Sequence, residues 1–386
     1  MKGVVLIVGE SFYPDNTPRA NRWHYFASRL SAANWAVRVI SRYQHAEKFG
    51  VGQIIEAQVR KRSLASRAAG KLFSLFIFEK EIFWAARRLI SVLRNRAVLS
   101  DVTLVVGYGL PFSGIVLAVI AAKVLKKPCM IEYGDPVDIN PARRSTLLER
   151  LANRWCIQSA ETVIVTDENY ATYMRNRYDR AIERLPPIAS VLERSSEDQY
   201  AVAANALAKC STGIRFFYAG RLYRGLRPGD AFFSALERTQ LDAVLIHAGL
   251  PYESARANPR YKNIGYIERY TVLYLLYWAG VTLYFANEAA YQTPSKVVEV
   301  AYVAPVVLAI GVSRNSFEGE MLANATEVVH VQNAVGDIVK ALQWTVQKGN
   351  QVERSRADFD RRLIKMRAYD AEIVASLETL IDRTRN

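Results

Sequence analysis

"GVVLIVGESFYPDNTPRANRWHYFASRLSAANWAVRVIS", Gly3 to Ser41, is the stretch that decides the fold. Gly3 to Val8 is an unbroken apolar run with β-branched side chains, the pattern of a strand buried on both faces. Tyr13-Pro14-Asp15 marks a turn. Trp23, Phe26, Ala27, Leu30 and Ala33 then recur at helical spacing, and "AVRVIS" returns to a strand. Strand, loop, helix and strand in that order predict a parallel sheet with helices packed on it.

The alternation continues outward. "VTLVVGYG", "PCMIEYGD" and "TVIVTD" read as short buried strands with helical segments between them. The pattern breaks at "RLPPIASVLERSSEDQYAVAANALAKCSTG", where two prolines and a polar run predict a crossing between domains. It restarts at "IRFFYAGRL" and runs on through "AVLIHAGL", "KNIGYI", "VTLYFA" and "PVVLAIG". The expectation is an α/β chain of two Rossmann-like domains, 1–187 and 188–368, followed by a terminal helical segment, 369–386. A length of 386 residues suits two cores better than one, and 51% apolar residues suit a folded chain.

The net charge is +14 and unevenly spread, with 28 Lys and Arg against 16 Asp and Glu in residues 1–185 and 23 against 21 in the rest. A basic half predicts a polyanionic partner. Cys129, Cys156 and Cys210 are too few and too scattered for a disulfide framework, and the four histidines lack metal-ligand spacing. "MKGVVLIVGE" lacks the marks of a signal peptide, and "GIVLAVIAAKVL", Gly114 to Leu125, is too short to span a membrane. A soluble or peripheral protein of a reducing compartment is expected.

In open parallel sheets, ligands bind beyond the carboxyl ends of the strands. Two groups fall there. Gly220, Arg221, Arg224 and Arg227 follow "IRFFYA", and Thr293, Pro294, Ser295, Lys296 and Glu299 follow "VTLYFA". The second group predicts a helix start, where backbone N–H groups attract an anion. Lys296 and Glu299 share one helical face. Arginines and a lysine for a diphosphate, with a carboxylate for a ribose diol, make a nucleotide-diphosphate site. The plainer alternative is a solvated loop and a surface ion pair.

The stretches "YAGRLYRGLRPGDAFFSAL", "KNIGYIERYTVLYLLYWAGVTLYF" and "TPSKVVEVAYVAPVVLA" resemble the donor half of retaining glycosyltransferases of the GT-B fold, family 4 type. "FYPDNTPRANRWHYFASRLSAANWAVRVIS" resembles that family's opening, and "AYDAEIVASLETLI" its last helix, which returns to the first domain. The resemblance implies two Rossmann-like domains facing a cleft. It implies that Arg221 and Arg227 neutralise the donor diphosphate, that Ser295 and Lys296 meet phosphate, and that Glu299 holds the ribose. Gly265 and Tyr266 would line the nucleobase, Asp135 would touch the transferred sugar, and Arg19 with loop 16–18 would face the donor phosphates. The chain departs from the family's paired glutamates, having Tyr291 at the first position, and has Thr17-Pro18 where glycine is usual. No metal or other cofactor is implied. The one Asp-x-Asp, Asp358-Phe359-Asp360, sits in an Arg-rich amphipathic segment and reads as a solvated face.

Arg60 to Arg96 holds ten Lys and Arg among interleaved aromatic residues. It predicts a surface for anionic membrane, bringing a lipid-linked glycan acceptor to the enzyme at the inner face of the cell membrane; no nucleic-acid partner is expected. The predicted activity is hexosyl transfer from a nucleotide-diphosphate sugar in envelope or polysaccharide synthesis. A nucleotide-sugar epimerase of similar fold and a degenerate polyanion-binding module are the alternatives.

Overall fold

Residues 1–15, 17–42, 82–109, 112–139, 145–191, 197–208, 213–223, 225–288 and 291–385 are described by a computed structural model. Residues 1–186 with 372–386 form one compact unit, and 187–371 form another.

The first unit is built on β1 (Gly3–Val8), β2 (Trp35–Ile40), β3 (Leu104–Gly109), β4 (Cys129–Tyr133), β5 (Thr162–Val165) and β6 (Glu183–Arg184). All pair in parallel, in the order β2-β1-β3-β4-β5-β6. The connections run through α1 (Pro18–Ala32), α2 (Ile82–Arg94), α3 (Phe112–Leu125), α4 (Leu147–Ser159) and α5 (Glu168–Tyr178). Thr17 starts α1 by accepting the Ala20 N–H, and Pro18 fills the first helical position, where its missing N–H costs nothing. Thr17-Pro18 is therefore the cap of this helix. Helix α3 is buried on nearly every side, as its continuous apolar sequence requires.

Glu132 is the last residue but one of β4 and is 2% exposed. Its Oε1 accepts from Arg22 Nε at 2.9 Å and its Oε2 from Trp23 Nε1 at 2.5 Å. The remaining Arg22 nitrogens donate to the carbonyls of Leu185 (3.0 Å) and Pro186 (2.8 Å). One buried ion pair thus ties α1 to the sheet and to the chain leaving the unit.

The second unit repeats the plan with β7 (Ile214–Ala219), β8 (Ala243–Ala248), β9 (Tyr261–Gly265), β10 (Val281–Phe285), β11 (Val306–Ile310) and β12 (Glu327–Val331), in the order β12-β11-β10-β7-β8-β9. Its helices are α6 (Glu197–Ala208), α7 (Asp230–Arg238), α8 (Arg269–Trp278), α9 (Val297–Val303), α10 (Phe317–Leu322), α11 (Val335–Gln351) and the first half of α12 (Arg356–Arg385). In each sheet the strand order reverses beside the first strand, between β1 and β3 and between β7 and β10. Those are the positions where open parallel sheets leave a crevice.

The closing segment is a single helix of 30 residues. Of Asp358-Phe359-Asp360, Asp360 is half-exposed and pairs with Arg356 as the sequence predicts, while Asp358 is only partly exposed. Phe359 is fully buried in the second unit's core. Asp358 accepts from Tyr277 OH and Arg362 Nε and pairs with Arg361, which hold its carboxyl down to about 2 against the lift from burial. No helix among the described residues is long and apolar enough to cross a membrane.

Arg22→Ala leaves the Glu132 carboxylate buried without its cation. It is expected to destabilise the first unit by about 3–5 kcal/mol, read as a lower denaturant midpoint. Replacing both partners by apolar residues of similar volume should recover much of the loss.

Candidate functional site at the carboxyl edge of the second sheet

The crevice between β7 and β10 gathers most of the candidate residues. Gly220 follows β7 with φ +148°, and Gly249 follows β8 with φ +141°. A Cβ on Gly249 would lie 2.2 Å from the Gly220 carbonyl oxygen, so the two strand ends touch backbone to backbone. Gly220 N–H donates to Ala248 O at 2.9 Å and Gly249 N–H to Gly265 O at 2.8 Å, which stitches the ends of β7, β8 and β9. Tyr266 follows and is 75% exposed, an open aromatic face beside this edge.

His247 locks the stitch. It is fully buried, with Nε2 2.8 Å from Gly220 O and Nδ1 2.7 Å from Tyr261 OH. A carbonyl only accepts, so Nε2 carries the proton and Nδ1 accepts from the tyrosine. Tyr261 OH in turn accepts the Tyr252 N–H at 2.8 Å. Burial lowers the His247 pKa against the lift from the Gly220 carbonyl, which keeps the ring neutral.

A tight turn, with Tyr223 and Arg227 exchanging backbone hydrogen bonds, folds Arg227 back over the strand end. Arg227 Nη2 and Nε donate to Asn287 Oδ1 at 2.6 and 3.0 Å, and Nη1 to Tyr218 OH at 3.2 Å. Asn287 Nδ2 donates to Gln292 O at 2.6 Å, which links this arginine to the segment before α9. Arg227, Pro294 and Lys296 line one cavity with Tyr218 and Tyr284. Arg221 is exposed and stacks on the Tyr223 ring at 4.4 Å, outside that cavity. Arg224 lies outside the described residues.

The helix predicted from Thr293 begins later. Pro294 bars the preceding residue from helical geometry, Ser295 and Lys296 form a turn, and α9 starts at Val297 with Lys296 as its cap. Only two turns of helix follow, so side chains rather than a macrodipole set the charge here.

Glu299 is also not the surface residue of the plainer reading: it is 0% exposed. Its Oε1 accepts from Arg269 Nε (2.9 Å) and Nη2 (2.5 Å) and from Lys296 Nζ (3.2 Å). Its Oε2 lies 3.1 Å from Lys296 Nζ but accepts no hydrogen bond of acceptable geometry. Burial raises the Glu299 pKa, and Arg269 and Lys296 together overcome it, so the net shift is downward and the carboxylate stays charged. Burial lowers the Lys296 pKa against the lift from Glu299. Sequence reading missed Arg269, the first residue of α8, because a pairing 30 residues away leaves no local pattern.

Asp370 on α12 stands behind this group. It is 1% exposed and accepts the N–H groups of Ala189 (2.8 Å) and Ser190 (3.0 Å). Burial pushes its carboxyl up to about 6, against those hydrogen bonds and Arg269, with Glu299 adding to the rise.

In the first unit, Arg19 and Asp135 pair with each other, and a Cβ on Gly134 would lie 2.7 Å from Arg19 Nε. Asn16 and residues 43–81 lie outside the described residues, so of Arg60 to Arg96 only the part from Ile82 is placed, as α2 and the turn after it.

No protein-family model and no curated protein matches the chain. Solved structures do. HepE of Anabaena, in complex with UDP and glucose, superposes with a TM-score of 0.61 at 13% identity over 97% of this chain and 100% of its own. WaaG, a glycosyltransferase involved in lipopolysaccharide biosynthesis, gives 0.56 at 13% identity over 95% and 94%. UDP-N-acetylglucosamine 2-epimerase gives 0.50 at 12% over 94% of each. The chain therefore has the GT-B fold, two Rossmann-like units in one polypeptide.

Two predictions follow from the geometry. His247→Ala leaves the buried Gly220 carbonyl and Tyr261 hydroxyl without partners and should cost about 1–3 kcal/mol in thermal or denaturant stability. His247→Gln, which can still donate to Gly220, should recover part of it. Asp370 binds a proton in the folded chain more tightly than in the unfolded chain, so its contribution should fall as pH rises from ~4 to about 6. Asp370→Asn should remove that slope, read from denaturation midpoints across the window. Glu299, shifted downward, acts with the opposite sign and at lower pH.

Proposed function

We propose that this protein is a glycosyltransferase that moves a hexose-type sugar from a nucleotide-diphosphate sugar to a glycan acceptor. The observation that carries the reading is Glu299: a fully buried, ionised carboxylate paired with Lys296, which lines the cavity beside Arg227, with one oxygen held by Arg269 and Lys296 and the other accepting no hydrogen bond. A ribose hydroxyl would fill the unused bonding capacity of that oxygen, which is buried 3.1 Å from Lys296 Nζ. Arg227 and Lys296, which line the same small cavity, would supply positive charge for a diphosphate. HepE, of the same fold, is seen with UDP and glucose, which supports a nucleotide-diphosphate sugar as donor.

Departure of a nucleoside diphosphate needs its developing charge stabilised, and Arg227 and Lys296 meet that need as fixed cations. Arg221, Gly220, Thr293 and Ser295 would complete the phosphate side. Gly265 and Tyr266 would hold the base, the exposed tyrosine ring offering a stacking face. Transfer with retention of configuration, without a metal, to a lipid-linked acceptor in envelope polysaccharide synthesis completes the reading. An epimerase would need an acid and base in the crevice. His247, at this edge, is buried with both ring nitrogens engaged.

Thermal denaturation with UDP, GDP, ADP and CMP tests the site. One nucleoside diphosphate should raise the midpoint of the wild type in proportion to the logarithm of its concentration and leave Glu299→Ala unmoved. Arg227→Ala should lower kcat by about 10²–10³ with a smaller change in KM. No stabilisation by any of the four would overturn the assignment.

A further inference from the structure

Two cations line the cavity beside β7 and β10, and they are not equivalent. Lys296 shares its charge with Glu299, whose Oε2 lies 3.1 Å from Nζ. The Arg227 guanidinium has only neutral partners among the described residues: Asn287 Oδ1, Tyr218 OH and the Arg221 carbonyl. Burial lowers its pKa, and Tyr218, Tyr284 and Glu318 outweigh that, so it stays charged. Glu318, the acid whose field reaches it, accepts from Tyr284 OH at 2.9 Å. One cation of the cavity is therefore already paired, and the other is whole.

Asn287 makes that difference. Nε and Nη2 form an edge with which an arginine grips a carboxylate or phosphate through two parallel donors. In Arg227 both turn to a single oxygen, Asn287 Oδ1, at 3.0 and 2.6 Å. That oxygen takes one hydrogen from each nitrogen, which leaves the second Nη2 hydrogen to point elsewhere. The amide is held one way round, because its Nδ2 donates to the Gln292 carbonyl at 2.6 Å and an oxygen there would face an oxygen. The backbone on either side is pinned as well: Ala286 N–H donates to Ile310 O at 3.0 Å and Glu288 N–H to Leu226 O at 2.8 Å. A carboxylate at 287 would hold the fork equally well and cancel its charge. An amide aims the fork and leaves the charge for a ligand.

We propose that Asn287 is a positioning residue for the binding of a diphosphate. It fixes the direction of Arg227 through a neutral hydrogen-bonded fork and ties it, through Gln292, to the segment that carries Lys296. A diphosphate oxygen would take the remaining Nη2 hydrogen. Asn287 need not touch the ligand, since it acts through Arg227. The inference rests on the donor site proposed above and adds to it a residue whose chemistry, an amide and not an acid, the site requires.

Isothermal titration calorimetry with UDP, GDP and ADP tests it. The diphosphate that binds the wild type should bind Asn287→Ala about tenfold more weakly, the loss expected when a charged hydrogen bond is no longer aimed. Asn287→Asp separates aiming from folding. It keeps an acceptor for Arg227 and should hold the thermal midpoint near that of the wild type, yet weaken the diphosphate about tenfold or more because the cation is neutralised. A residue that served folding alone would give tight binding wherever the midpoint is kept. In an Arg227→Ala background, Asn287→Ala should add no more than about twofold, since the side chain it aims is gone. Binding of a diphosphate by the wild type that neither Asn287 variant weakens would overturn the proposal and leave the donor site standing. Binding of none of the three by the wild type would overturn the donor site and the proposal with it.

Discussion

Parallel strands cannot be joined by a tight turn. Each must be reached by a crossover, and the crossover is right-handed, so every strand in a sheet delivers its carboxyl end to the same edge. Both units obey that constraint in all their pairings. Its consequence is that residues far apart in sequence arrive together without any local instruction. Gly220, Gly249 and Gly265 meet at one edge, and Arg227 reaches Asn287 across the reversal of strand order. The chemistry of the second unit is a by-product of how its sheet is wound.

Each unit has a buried glutamate held by an arginine from the first turns of a helix. In the first unit Glu132 is held by Arg22, and in the second Glu299 is held by Arg269. The difference between them lies in saturation. Both oxygens of Glu132 accept good hydrogen bonds, from Arg22 and Trp23, and the group is a structural clamp. One oxygen of Glu299 is left without one. Burying a charge is costly, and leaving part of its bonding capacity unused adds to the cost, which a ligand hydroxyl would relieve.

The sequence makes the central strands legible because they are buried on both faces and carry continuous apolar runs, as in "GVVLIV" and "IRFFYA". It hides the edges. Strand β6 is two residues long and β12 is only half-buried, so neither carries that signal. Arg227, Pro294, Lys296 and Glu299 could be singled out by their place after predicted strands. Arg269, Asn287 and Asp370 could not, because each acts through a partner distant in sequence. The onset of α9 differs from the sequence expectation for a local reason: Pro294 suits a helix start, but a turn separates it from the first helical residue. The basic character of the first unit was plain from composition, but nothing in "LLERLANRW" says which side of that helix faces water.

Helix α12 bears on the order in which the chain is made. Its last part belongs to the first unit, where Leu377, Leu380 and Ile381 are buried, Thr384 bonds Thr162 at 2.7 Å, and Glu378 pairs with Lys2 at 2.8 Å. Those residues leave the ribosome after everything in the second unit. The unit that begins first is therefore the one that finishes last. While residues 187–371 emerge and fold, the first sheet must wait with the apolar surface meant for α12 uncovered, and that interval is when the nascent chain is most open to chaperones and to misassembly.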